Sequence, residues 1–239
     1  MHGSLSPWGR LVALSAILVV GALAVLGVWW VATLEERQTL YTVRGSLDGI
    51  TLDLGDMSAD IVGGGQRPSV EVRRTDDVAF GRRPVIERSV EGGILTIRSR
   101  CPSAVPDSCT SHYRLVVPDN VPVTVRTASG DVRFARFRAS ARVDTTSGNI
   151  DIGAFCGFSL QANTNRGDVD ATAVCPPDSM TLRSRSGSVH AVVPQGRYRV
   201  DADSDSGDRV VEGITSADDA PFQVQALSNS GDVLVEGRR

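Results

Sequence analysis

The chain has 239 residues, 41% hydrophobic, 22% charged and 5% aromatic, with 24 Gly, 11 Pro and a formal net charge of −3. That balance excludes a disordered polymer, a collagen-like repeat and a polytopic membrane protein, and leaves one or two modest domains. All 25 basic residues are arginines scattered along the chain, so no nucleic-acid footprint is present.

From Leu11 to Leu34 there is no charged residue. These 24 residues, at ~1.5 Å rise each, reach about 36 Å as a helix, enough to cross a hydrocarbon core of roughly 30 Å. Trp8 on one side and Trp29 and Trp30 on the other occupy interfacial positions. Arg10 precedes the run and Glu35 and Glu36 follow it, which places residues 1–10 in the cytoplasm. A cleaved signal peptide is the competing reading, but the run exceeds the roughly 7 to 15 residues of a signal core and no A-x-A-like site ends it. The expectation is an uncleaved anchor at 11–34, a short tether at 35–44 and an extracytoplasmic domain at 45–239.

Residues 45–117 are irregular. GITLDLGDMSADIVGG reads as a degenerate repeat unit, and VEVRR, PVIERS and GILTIRS read as strands that cap and begin a sheet. Cys101 and Cys109 bracket the loop PSAVPDS, where a local disulfide staple is expected. With three histidines and no C-x-x-C, the cysteines do not suggest zinc.

Beyond residue 120 one phrase recurs: TASGDVRF, TTSGNIDI, TNRGDVDA, SRSGSVHA, SDSGDRVV and SNSGDVLV. Its glycines are Gly130, Gly148, Gly167, Gly187, Gly207 and Gly231, at intervals of 18, 19, 20, 20 and 24. The second residue after each glycine is Val132, Ile150, Val169, Val189, Arg209 and Val233, and the seventh before it is Val123, Ala141, Leu160, Met180, Val200 and Val224. With polar residues alternating between, each unit holds two half-buried strands around a glycine turn. The turn is expected to need positive φ, which glycine alone adopts without cost.

Hairpins across each turn, or parallel coils stacked unit on unit, both satisfy the alternation. The near-uniform unit length and the column Thr127, Thr145, Thr164, Ser184, Ser204 and Ser228, three before each glycine, favour coils with a hydroxyl ladder at about 4.8 Å spacing. Cys156 and Cys175 each lie eight residues after their own glycine, so stacked coils bring them within disulfide range. The fold class read from the residues is all-β, a parallel β-solenoid of 18–24-residue coils preceded by one transmembrane helix.

At GGILTIRS, YRLVVPDNVPVTVRTASGDV and the serial S-G-D-V turns, the chain resembles the bacterial putative adhesin family, the domain of unknown function numbered 4097. The resemblance covers about Gly45 to Val235. It implies a right-handed, pectate-lyase-like or related β-solenoid in an envelope protein, with no catalytic residues to carry over, and some relatives look like parts of envelope-stress systems. The Gly207 coil, with Arg209 at an inward position, departs from the pattern.

The sharpest chemical motif is DADSDSGDRVVE, in which Asp201, Asp203, Asp205 and Glu212 keep the spacing of a calcium loop. Ser206 stands where such a loop needs Gly, and the repeat places the three aspartates outward along a strand, so a solvated acidic face is expected and no metal. Arg166-Gly167-Asp168 spells an adhesion tripeptide but is one copy of the repeated turn. No catalytic motif and no cofactor site is expected; a glycan-cleaving solenoid, needing a close pair of carboxylates, is the least favoured reading. The expected role is a membrane-anchored, extracytoplasmic binding or scaffolding protein of the bacterial envelope. Its partners would be an envelope protein or a cell-wall polymer, and the alternative is a component of an envelope-stress sensor.

Overall fold

The computed structural model describes residues 7–32, 35–65, 68–78, 83–102 and 109–238. Helix α1 (Pro7–Ala32) has 26 residues, and its side chains are described only over 15–27. Among the described residues no helix is long and apolar enough to cross a membrane. The side chains of Trp8, Arg10, Trp29 and Trp30, on which the expected anchor leans, lie outside the described set. Where the helix is described its large hydrophobic side chains face outward: Ile17, Leu18, Val19, Val20, Leu23, Val25 and Leu26 are all exposed.

The strands that follow are β1 (Glu35–Arg44), β2 (Gly49–Asp53), β3 (Ser58–Val62), β4 (Ser69–Val78), β5 (Val85–Glu91), β6 (Ile94–Arg100) and β7 (Cys109–Val116). The repeat supplies β8 (Val123–Thr127), β9 (Val132–Ala135), β10 (Ala141–Thr145), β11 (Ile150–Phe155), β12 (Ser159–Arg166), β13 (Val169–Ala173), β14 (Ser179–Ser186) and β15 (Val189–Pro194). The last are β16 (Arg197–Ser204), β17 (Arg209–Glu212), β18 (Thr215–Ser216), β19 (Phe222–Ser230) and β20 (Val233–Arg238).

Each phrase contributes one strand to each of two facing sheets, and neighbouring units pair in parallel. One sheet runs β1-β4-β7-β3-β9-β11-β13-β15-β20-β17, the other β18-β16-β19-β14-β12-β10-β8-β2-β6-β5. This is a solenoid-like all-β fold, with rungs in register. Val123, Ala141, Leu160 and Met180 stand over one another, followed by Val224 and Val200. Period-2 alternation sends these residues between the sheets, where they join one continuous buried core.

Three expectations need correction. Residues 35–44 are not a tether: β1 pairs antiparallel with β4 along its whole length, from Glu35 opposite Val78 to Arg44 opposite Ser69. Its polar start hid the alternation of Tyr41 and Val43, which pack on the core. The rungs also do not follow chain order at the end. The Gly231 unit (β19 and β20) inserts between the Gly187 unit and the Gly207 unit, so β17 becomes the edge of its sheet. That position explains the irregular Arg209, because every residue of β17 is exposed.

The third correction concerns why glycine recurs. Only Gly167 and Gly231 of the six adopt positive φ, at 143° and 148°. What all six share is closeness to the rung below. A Cβ on Gly148 would meet the carbonyl oxygen of Gly130, one on Gly167 that of Gly148, one on Gly187 that of Gly167, one on Gly231 that of Gly187, and one on Gly207 that of Gly231. Gly130 faces the Met57 carbonyl in the same way. Glycine is selected here by stacking distance.

Candidate binding surface

The turns interlock through two further columns. The hydroxyl three before the glycine is tucked inward, and in four of the six units it donates to the glycine carbonyl of the preceding rung in the stack: Thr164 to Gly148 at 3.1 Å, Ser184 to Gly167 at 2.8 Å, Ser228 to Gly187 at 2.8 Å and Ser204 to Gly231 at 2.8 Å. Thr127 donates to Gly55 at 2.7 Å. The expected hydroxyl ladder exists as a stack of residues, but its hydroxyls bond to backbone rather than to each other.

The residue after glycine does the reverse, accepting a backbone N–H from the neighbouring rung. Asn149 N donates to Asp131 Oδ1 at 2.8 Å, Asp168 N to Asn149 Oδ1 at 3.0 Å, and Ser188 N to Asp168 Oδ1 at 2.8 Å. The column continues from Asp232 N to Ser188 Oγ and from Asp208 N to Asp232 Oδ1 at 2.9 Å. Asp, Asn and Ser recur there because each offers a short acceptor. This also fixes the Arg166-Gly167-Asp168 tripeptide: its carboxylate is part of the interlock, and Arg166 N donates to the Thr146 carbonyl.

The outer faces carry rows of polar side chains held at strand spacing. On one sheet Arg142 donates to Asp144 at 2.9 Å and to Gln161 at 2.7 Å, Asn163 donates to Asp144 at 2.8 Å, Arg183 to Gln225 at 2.6 Å and Gln225 to Asp201 at 2.7 Å. On the other, Arg133 meets Asp151 at 3.1 Å, while His190 sits between Asp170 at 3.3 Å and Glu236 at 3.2 Å. These pairs are exposed or half-buried, so each contributes little stability. Their effect is to immobilise a broad polar surface.

A second constellation lies inside the N-terminal end of the core and was not read from the sequence. On β4 the inward positions change from Val70 and Val72 to Arg74 and Asp76, the latter buried. Arg74 Nη2 bonds Asp76 Oδ2 at 2.7 Å, and Ser111 donates to Asp76 Oδ1 at 2.6 Å. Burial opposes the Arg74 charge, but the Asp76 hydrogen bond and charge outweigh it and raise its pKa. Ser99 Oγ and Tyr113 Oη are buried nearby without a hydrogen-bond partner of good geometry. Desolvation raises the Tyr113 pKa, against smaller opposing effects of Ser99 and Arg74. Arg88 covers this end with its guanidinium 4.6 Å from the Tyr41 ring centre. The signal available in the sequence was the charge at inward parity in VEVRRTDD.

The calcium motif is drawn apart. Asp201 and Asp203 lie on β16 in one sheet, Asp205 in the following turn and Glu212 on β17 in the other sheet. Among the described residues no group of three His, Cys, Asp or Glu side chains is arranged to hold a metal ion. Cys156 is bonded to Cys175 with Cα atoms 4.8 Å apart, and Cys101 to Cys109 at 5.8 Å. The loop closed by the second bridge, 103–108, lies outside the described residues.

Residues 120–213 match the family model Toastrack DUF4097. No curated protein matches the chain. Among solved structures, the chain is similar to a putative cell adhesion protein from Clostridium sporogenes ATCC 15579, with TM-score 0.55 and 9% identity over 85% of this chain and 100% of that one. It is also similar to a putative adhesin from Bacteroides fragilis NCTC 9343, with TM-score 0.51 and 12% identity over 85% of this chain and 97% of that one. At such identities the likeness concerns the fold. The matched residues run from just before β8 to just past β17, so the similarity to Toastrack DUF4097 spans the rungs from β8 to β17.

Proposed function

We propose that the chain is a membrane-anchored, extracytoplasmic, non-catalytic binding or scaffolding protein of the bacterial envelope, with residues 1–10 in the cytoplasm and 45–239 outside. The anchor is supported by the uncharged run 11–34 within and just beyond α1, and by an apolar helix whose large hydrophobic side chains from Ile17 to Leu26 are exposed. The outside location is supported by two disulfides in a chain with no free cysteine among the described residues. The observation that carries the binding role is two hydrogen-bonded groups on one outer face, Arg142 with Gln161, Asp144 and Asn163, and Arg183 with Gln225 and Asp201. They present donors and acceptors in a fixed pattern that a repeating polymer or an envelope protein can match. The similar solved structures are named as adhesion proteins, which points to the same class of role.

The test is co-sedimentation of the purified chain with isolated cell-envelope fragments, comparing wild type with Arg142→Ala/Asn163→Ala/Arg183→Ala. Wild type is expected to sediment and the triple variant to lose at least about fivefold in binding while keeping its melting temperature, since exposed polar pairs add little stability. Equal sedimentation of the two would contradict the assignment to this face. Deletion of residues 1–34 should release the chain from membranes washed with carbonate.

A further inference from the structure

The two ends of the solenoid are finished differently. At the N-terminal end β4 and β1 extend one sheet antiparallel and β5 extends the other, so the parallel interlock stops there. At the C-terminal end β17 has a neighbour on one side only, and β18 covers just Arg197 and Tyr198 of β16. Between these edges opens a recess of about 390 Å³ lined by Val200, Ala202, Arg209, Val211 and Ser216.

The chemistry of this end follows from the rungs beneath it. Every internal rung offers its successor a glycine carbonyl, an acceptor side chain after the glycine and an open strand edge, and the Gly207 rung offers the same set to nothing. Among the described residues no group donates to Gly207 O or to the Asp208 carboxylate, whose own backbone N–H already bonds Asp232. Val210 and Val211 are exposed at 44% and 38%. Arg209 lines the recess with no carboxylate partner among the described residues, its Nη1 only 3.4 Å from the Ala202 carbonyl. An unpaired edge beside exposed valines is what natural sheets ordinarily cover.

We propose that the C-terminal end is a docking site for a rung-like segment of another protein, added in parallel to β17 and β16. The site continues the rung-to-rung interface already repeated along the chain, and that interface dictates the partner's chemistry. A Ser or Thr three residues before a glycine donates to Gly207 O. Glycine itself is required because a Cβ would meet that carbonyl. The N–H after the glycine bonds Asp208, and a carboxylate at the second position after the glycine meets Arg209. Strand addition of this kind draws its affinity from backbone bonds and its selectivity from alternate side chains. The N-terminal end of a second copy does not supply this set, because its outer strands β1 and β5 are not consecutive in the chain and so have no Ser/Thr-x-x-Gly turn between them, and β5 runs antiparallel to β6. The proposal concerns the end of the solenoid, and stands or falls independently of the lateral faces and the anchor.

The probe is a synthetic peptide with the sequence of residues 141–155 and Glu in place of Ile150, added to the full chain in mild detergent at up to millimolar concentration. Hydrogen exchange read by mass spectrometry should show new protection over residues 200–212 and at no lateral strand. Peptides with Gly148→Ala or Thr145→Val should protect at least about tenfold less at equal concentration, as a lost backbone approach or a lost buried hydrogen bond demands. Val211→Glu in the protein should abolish protection while leaving the melting temperature unchanged. Absence of protection by the glutamate peptide overturns the proposal. So does equal protection by the alanine or valine peptides, or protection that rises with protein concentration alone, which would mean that a second copy occupies the end.

Discussion

Gly148 and Gly153 lie in the same unit, yet they answer to different constraints. A Cβ on Gly148 would strike the Gly130 carbonyl, whereas one on Gly153 finds its nearest neighbour, the Phe134 carbonyl, at 3.8 Å. Gly148→Ala is therefore expected to cost on the order of 3 kcal/mol, as a backbone forced apart from its neighbour, and Gly153→Ala to change stability by less than about 1 kcal/mol. Urea unfolding of the two variants checks this, and similar losses at both sites would refute the stacking explanation. Tyr113 tests the interior polar cluster. Its buried hydroxyl has no partner of good geometry among the described residues, so Tyr113→Phe should be neutral or stabilise by about 1 kcal/mol. Desolvation, the largest effect on Tyr113, raises its folded pKa above 10.0. Folding thus favours the protonated phenol, its contribution is complete below the unfolded value of 10.0, and stability falls as pH rises through the folded value. Tyr113→Phe should flatten that alkaline decline in pH-dependent melting; an unchanged slope would show that Tyr113 does not contribute.

Among the elements, the rung carrying β12 and β13 and its neighbour of β10 and β11 are joined twice, by strand pairing and by the Cys156–Cys175 bridge. A bridge between residues 19 apart stabilises by roughly 3 kcal/mol in the chain-entropy description. Cys156→Ser/Cys175→Ser should lower the unfolding free energy by about that much without loss of strand content by circular dichroism. Loss of the fold would mean that the bridge, rather than the interlock, holds the rungs. These two units were legible because matching residues recur at fixed offsets and parallel stacking brings the two cysteines together. β1 was not legible, because Glu35, Glu36, Arg37 and Gln38 mask an alternation that begins only at Tyr41. The direction in which the hydroxyls bond was also hidden: Thr and Ser at matched positions predict a column, but whether the partner is a like side chain or a glycine carbonyl depends on which face is buried. The Arg74–Asp76 pair escaped for a related reason, since a charge at an inward position reads as surface until a cap covers it.

At the scale of the whole molecule the decisive feature is order. Sequence spacing argues for rungs laid down one after another, and that holds from β8 to β15. The last two exchange places, with the Gly231 unit inserted against the Gly187 unit and the Gly207 unit left at the end. No local signal announces the exchange, because the Gly207 and Gly231 phrases are nearly interchangeable; the imbalance lies in Arg209, which the inserted position would bury and the end position leaves exposed. The order also creates the open C-terminal edge and so governs what the molecule can join. It can be read with paired cysteines on the outer face, where Thr181 lies opposite Gln225 and Gln225 opposite Asp201. Under mild oxidation Thr181→Cys/Gln225→Cys should form a disulfide in nearly all molecules and Thr181→Cys/Asp201→Cys, separated by a whole rung, in almost none. Efficient bridging in the second double variant, with little in the first, would mean that the rungs follow chain order and that the exchanged topology is wrong.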